Sequence, residues 1–194
     1  MGMAIKLITA HLMMHKALAD WFESLTSCEP EALQVQPVTA MILALGSNHD
    51  ADTHLPRIRE CLANLGTMML STAFQNPDFT ATIDLPKPDY INQCVYLSLA
   101  KPVTLQQLQQ TFKQFECDCE RQRLTESPTA IKAVTMDIDI LLIKVAPENS
   151  LSKNKNFESS EWIIMADRYP FKAHERAGIK ELISKGYIKR LRYC

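Results

Sequence analysis

Apolar residues recur along this chain at two spacings, and the switches between them lay out its elements. "MILALGSN" (41–48) is an apolar run that stops at Gly46, which predicts a buried strand. Leu55, Ile58, Leu62 and Leu65 then keep the 3.6-residue period of a helix over about 53–65, with Gly66 as its stop. Pro56 is tolerated there because it falls in the first turn. "TMMLSTAF" (67–74) reads as a strand, and residues 75–89, rich in Pro, Asp and Thr, as a long loop of the kind that often carries function. Residues 90–100 alternate: Ile91, Val95, Leu97 and Leu99 share one face, and Tyr90, Asn92, Cys94 and Tyr96 the other. Thr104 and Gln107 form a capping box ahead of the stripe Leu105, Leu108, Phe112 and Phe115. A strand over 135–143, the short run "WIIMA" and a helix from about His174 to Lys185 complete the pattern.

The order β-α-β-β-α-β predicts an α+β fold, the ferredoxin-like sandwich of an antiparallel sheet with helices packed on it. Ahead of it, residues 4–26 read as an amphipathic helix on which Ile5, Leu12, Leu18, Trp21 and Phe22 share a face. "TSCEPEALQVQPV", with Pro30 and Pro37, reads as a linker. The expected division is therefore a helical extension and linker over 1–38 and a domain over 39–194. The extension is a candidate for self-association.

Composition narrows the classes. An apolar content of 46% with a net charge of −1 excludes a disordered chain and leaves room for one real core. That balance is also too weakly basic for nucleic acid as the main partner. No run approaches the roughly 20 apolar residues of a membrane helix, and no secretory leader pattern is visible at the N-terminus. Cys61 and Cys94 sit at apolar positions of predicted elements, a usage that suits a reducing cytoplasm.

The informative polar residues interrupt the last long strand. Asp137 and Asp139 lie in "TMDIDILLIK" at i and i+2, so they project from one face while Ile138 and Ile140 project from the other. Two carboxylates so close repel unless a cation lies between them or one is protonated. Magnesium answers this economically, because it takes one or two carboxylates and completes its shell with phosphates and water. The alternative is an edge strand with two solvated aspartates. Arg121 and Arg123, also i and i+2, offer forked cations suited to polyphosphate. Tyr90 and Asn92 offer a ring and an amide that could read a flat heterocycle.

"LALGSN", "PDYIN" (88–92), "ERQR" (120–123), "DIDIL" (137–141) and "HER" (174–176) occur in the order and rough spacing of the 6-hydroxymethyl-7,8-dihydropterin pyrophosphokinase family. The chain resembles that family over about residues 40–182. The resemblance implies a cytoplasmic transferase of folate biosynthesis that moves pyrophosphate from ATP to the pterin hydroxymethyl group and leaves AMP. It implies that Asp137 and Asp139 hold two Mg2+ ions. Asn76, Pro77, Phe79, Tyr90 and Asn92 would bind the pterin. Glu116, Arg121, Arg123 and Arg176 would serve the nucleotide, with Arg121 and Arg123 acting on the phosphates from a mobile loop; Lys132, which the family pattern does not supply, is a further nucleotide-side candidate as a point charge.

The chain also departs from the pattern. Val134 stands where the family carries an arginine just before the aspartate strand, and Ile131 where it carries an aromatic. Pro170 stands in place of a histidine six residues before Arg176, and Gly178 in place of a ring-stacking aromatic two residues after it. Two readings follow: an active but impaired pyrophosphokinase, or a non-catalytic relative that binds nucleotide, pterin or a protein partner.

Overall fold

The central strand is long because its sequence can be covered on both faces. In the computed structural model, which describes residues 20–77, 81–84, 86–121, 133–146 and 162–186, strand β2 (Pro37–Ser47) is buried along nearly its whole length. It pairs antiparallel on one side with β5 (Tyr90–Thr104) and on the other with β6 (Asp137–Val145). Beyond β5 lie β3 (Gly66–Leu70) and, further along the same edge, β4 (Phe74–Asn76). The order β6-β2-β5-β3, with helices α1 (Ala51–Ala63) and α2 (Leu105–Asp118) in the connections, is the expected ferredoxin-like arrangement. Two further strands extend it past β6: β7 (Trp162–Met165), antiparallel to β6, and β1 (Thr26–Cys28), parallel to β7.

Both faces of the sheet are covered. Leu55, Ile58 and Leu62 of α1, with Leu105, Leu108 and Phe112 of α2, pack on Leu43, Leu45, Val95 and Leu97. The other face, with Ala40, Ile42, Ala44 and Cys94, is covered by Ile179 and Leu182 of α3 (Ala173–Ser184) and by Trp21, Phe22 and Phe171. The capping box of α2 forms as its sequence predicts, with Thr104 Oγ1 accepting from Gln107 N at 3.3 Å. Helix α2 ends where Glu120 takes a left-handed conformation, φ 59°.

Three segments differ from expectation. The stretch read as a linker is structured: it supplies β1, a 3-10 turn at Pro30–Leu33 and the start of β2. Its carbonyls at Gln36 and Gln34 accept from Leu105 N and Gln106 N, satisfying first-turn donors of α2. Residues 20–24 are helical as expected, but the helix yields to β1 by Thr26; the rest of the predicted N-terminal helix lies outside the described residues. The strand expected over 67–74 is split into β3 and β4. Between them Thr72 turns away, its N and Oγ1 both bonded to the Glu181 carboxylate at 2.8 and 3.1 Å.

Helix α3 approaches the sheet closely at Gly178. A Cβ there would lie 2.6 Å from Cys94 Sγ and 2.7 Å from Cys94 Cβ. Burial pushes the Cys94 thiol up to about 12, so it acts as a small apolar group. The position where the family carries a stacking aromatic is therefore a helix–sheet contact in this chain. Gly178→Ala is expected to cost about 1–3 kcal/mol by overpacking, and Gly178→Phe to prevent folding. Urea midpoints for the two variants check this; a wild-type midpoint for Gly178→Phe would show that α3 can lift.

Candidate functional site

The pairing register gathers the polar residues at one end of the sheet. Asp137 is opposite Gly46 on β2, Gly46 is opposite Asn92 on β5, and Asn92 is opposite Phe74 on β4. One row over, Asp139 is opposite Ala44, and Ala44 opposite Cys94; Tyr90 is opposite Asn76. Directly paired residues put their side chains on the same face. The aspartates and Asn92 therefore flank a strip in which the intervening residues are only Ala44 and Gly46. A Cβ at Gly46 would stand 3.2 Å from Asn92 Oδ1, so glycine keeps this floor low.

Above the floor is a cavity of about 290 Å³ lined by Ala44, Gly46, Asn76, Pro77, Tyr90, Asn92 and both aspartates. Lys172, His174 and Glu175, at the start of α3, close its other wall. Lys172 N donates to Glu175 Oε2 at 2.6 Å, which fixes this helix start. Burial holds the His174 imidazole below its usual range. A second cavity of about 540 Å³ is lined by polar groups that include Gln109, Lys113, Glu116, Arg121 and Arg168. Asp137 and Asp139 belong to both cavities.

The charges here are held by specific partners. Glu116 is buried, and its Oε1 accepts from Ile138 N at 2.9 Å, tying the end of α2 to the aspartate strand. The Arg121 side chain is only 7% exposed, with Nη2 3.8 Å from Asp137 Oδ1. Its Nε and Nη1 are buried without a hydrogen-bond partner among the described residues. Its backbone N donates to Glu116 O, so Arg121 is seated at the end of α2 rather than carried on the loop. Arg168 Nη2 forms an ion pair with Asp139 Oδ1. The Asp139 carboxyl is still pushed up to about 6, first by burial and then by the Asp137 charge, against the opposing pull of Arg168 and Lys172.

The structure thus brings together Asp137, Asp139, Asn76, Pro77, Tyr90, Asn92, Glu116 and Arg121. Arg176 lines neither cavity; its Nη1 donates to Phe171 O at 2.9 Å. Arg123, Lys132 and Phe79 lie outside the described residues. Val134 is buried, and its backbone N and O are both bonded to Asn48, at 2.6 and 2.9 Å. Sequence reasoning missed Gly46 and Ala44 as floor, and Arg168 and Lys172 as cations. The strand register would have exposed the first two; no pattern in the polar stretch 166–172 singles out the others.

Fold and site define a ferredoxin-like α+β protein whose sheet end carries a two-chambered charged site centred on an aspartate pair. The family model for 7,8-dihydro-6-hydroxymethylpterin-pyrophosphokinase matches residues 42–165, and the chain belongs to that family of folate-biosynthesis pyrophosphokinases. The match runs from within β2 to the end of β7 and includes both aspartates; Arg168 and α3 lie beyond it. No curated protein matches the chain. Among the described residues no helix is long and apolar enough to cross a membrane.

Proposed function

We propose that this chain transfers pyrophosphate from ATP to 6-hydroxymethyl-7,8-dihydropterin, with the pterin in the 290 Å³ cavity and the nucleotide phosphates in the 540 Å³ cavity. One observation carries this reading: two cavities of different chemistry meet at the same two carboxylates. A transfer between two bound substrates needs such a junction, because the reacting groups must be held within about 3–3.5 Å of one another. The smaller cavity lies at the low end of ligand pockets and suits a small heterocycle. The larger is polar and contains a buried guanidinium with two nitrogens, Arg121 Nε and Nη1, that have no partner among the described residues, which suits phosphate oxygens.

The donor set fits magnesium. Asp137 and Asp139 offer hard oxygens from one face, and no group of three or more His, Cys, Asp or Glu side chains suited to a metal occurs among the described residues. A cation held mainly by two carboxylates, water and substrate phosphates matches that supply. Asp137 and Asp139 are the residues that would hold two magnesium ions. Bound there, the ions supply charge neutralisation on the phosphates and a more acidic hydroxyl. The chain's own residues do the rest. Asn92 hydrogen-bonds the heterocycle edge, and Tyr90 packs against its face. Glu116 holds the aspartate strand to α2, and Arg121 meets charge on the phosphates.

Asn92→Ala is expected to weaken pterin binding by about 1–3 kcal/mol, the usual cost of an unpaired buried polar group, and to leave the affinity for MgATP within about twofold. Calorimetry with each ligand separates the effects; equal losses would signal general unfolding and reject the assignment of Asn92. Specific observations also favour the second reading, a relative that binds without turnover. Arg176 is committed to a backbone carbonyl, and Val134 is a buried valine where the family carries a cation.

A further inference from the structure

We propose that Arg168 is a phosphate-side cation of this site, holding Asp139 while the metal is absent and passing to the nucleotide polyphosphate once a divalent cation takes the carboxylates. This rests on the functional reading above and adds to it a residue outside the matched region. In that role Arg168 stands in for the forked cation that Val134 cannot supply.

The placement follows from pairing. Strand β7 runs beside β6, with Ile164 opposite Leu142. The 3-10 turn Ala166–Arg168 that follows keeps to the side of β6 and carries the guanidinium to Asp139. Its Nε lies 3.7 Å from Asp167 Oδ2. The side chain is 40% exposed and lines the larger, polar cavity. It can therefore change partners without opening the core, unlike Arg121, which is 7% exposed. A magnesium ion on Asp139 Oδ1 competes with the guanidinium for that oxygen, since the two cations repel. A displaced Arg168 stays in the cavity proposed for the phosphates, where its fork can make two parallel hydrogen bonds. A purely structural ion pair, pinning the 3-10 turn to β6, makes a different prediction: its loss would loosen the turn and tighten no ligand.

The test compares the full-length protein with Arg168→Gln, a neutral side chain of similar length. Mn2+ binding is measured first without nucleotide, by the spin-resonance signal of the free ion. A non-hydrolysable ATP analogue with Mg2+ is then titrated by calorimetry. Removal of a competing cation should tighten Mn2+ about threefold or more. Loss of a phosphate partner should weaken the analogue about tenfold, the size of one charge-assisted contact. Arg168→Lys should keep Mn2+ affinity near wild type and recover only part of the analogue affinity, because a point charge replaces a fork. Unchanged or weaker Mn2+ binding by Arg168→Gln overturns the proposal and leaves the metal pair standing. If neither protein binds Mn2+, the metal assignment of Asp137 and Asp139 falls, and this proposal with it.

Discussion

Asp139→Asn is expected to reduce pyrophosphoryl transfer by about three orders of magnitude or more, and at pH 8 to make the ligand-free protein more stable. The two effects share one cause. Asp139 is nearly buried beside a second carboxylate, and its carboxyl is pushed from an ordinary 3.8 up to about 6, chiefly by burial. A raised carboxyl pKa means that the folded protein holds the proton more tightly than the unfolded chain does. The folded state therefore loses stability as pH climbs from about 4 to about 6, and the full penalty stands above that. The gap corresponds to roughly 3 kcal/mol, an upper figure. Asparagine keeps the shape and removes the charge, while Arg168, 40% exposed, remains solvated without its partner. The stability difference between variant and wild type should be near zero at pH 4 and widest at pH 8, read from urea midpoints. A variant less stable than wild type at pH 8 would show that the ion pair with Arg168 outweighs the cost of burial.

Deletion of residues 1–38 is expected to abolish folding. It removes β1, whose parallel pairing covers the edge of β7. It also removes Trp21, Phe22, Leu33 and Val38 from the core. Truncating one such side chain costs about 2–5 kcal/mol, so losing four costs about 8–20 kcal/mol, as much as the roughly 5–15 kcal/mol that holds a typical domain together. The first turn of α2 would lose the Gln34 and Gln36 carbonyls that accept from it. The site would suffer as well. Phe22 stacks edge-on against Phe171 at 5.2 Å, and Phe171 belongs to the segment between Arg168 and Lys172. Soluble yield and far-ultraviolet circular dichroism of the truncated chain measure the outcome. A soluble, folded 39–194 fragment would support the separate extension that the sequence pattern predicts.

The elements legible in the sequence are those long enough to show a period. The alternation over 90–100, the helical stripe from Leu105 and the capping box at Thr104 each appear in the structure, and Val95, Leu97, Leu105, Leu108 and Phe112 are the buried residues of those stripes. A three-residue strand has no period to read, so β1 was hidden in a stretch whose prolines and polar residues read as a linker. Pro30 in fact opens a 3-10 turn, and its neighbour Leu33 is buried in the core. Gly178 was visible only as a missing aromatic; its reason is steric and comes from Cys94 on a distant strand. The aspartate pair was legible because charge inside an apolar strand is costly and demands a partner. Arg168, one of the partners found, was not legible, because a single arginine in a polar turn has no pattern and its place depends on how β7 pairs with β6. The cavity floor is an intermediate case: Gly46 ends an apolar run in the sequence, but its role needs the register with Asn92.

The most direct measurement is AMP formation by the full-length protein given ATP, Mg2+ and 6-hydroxymethyl-7,8-dihydropterin. The proposed junction of a pterin and a nucleotide cavity at Asp137 and Asp139 predicts AMP that appears only when both pterin and Mg2+ are present, in step with pyrophosphorylated pterin, and that disappears in Asp139→Asn. Binding of pterin and MgATP without AMP release would contradict the enzyme and leave a two-ligand binding protein in its place.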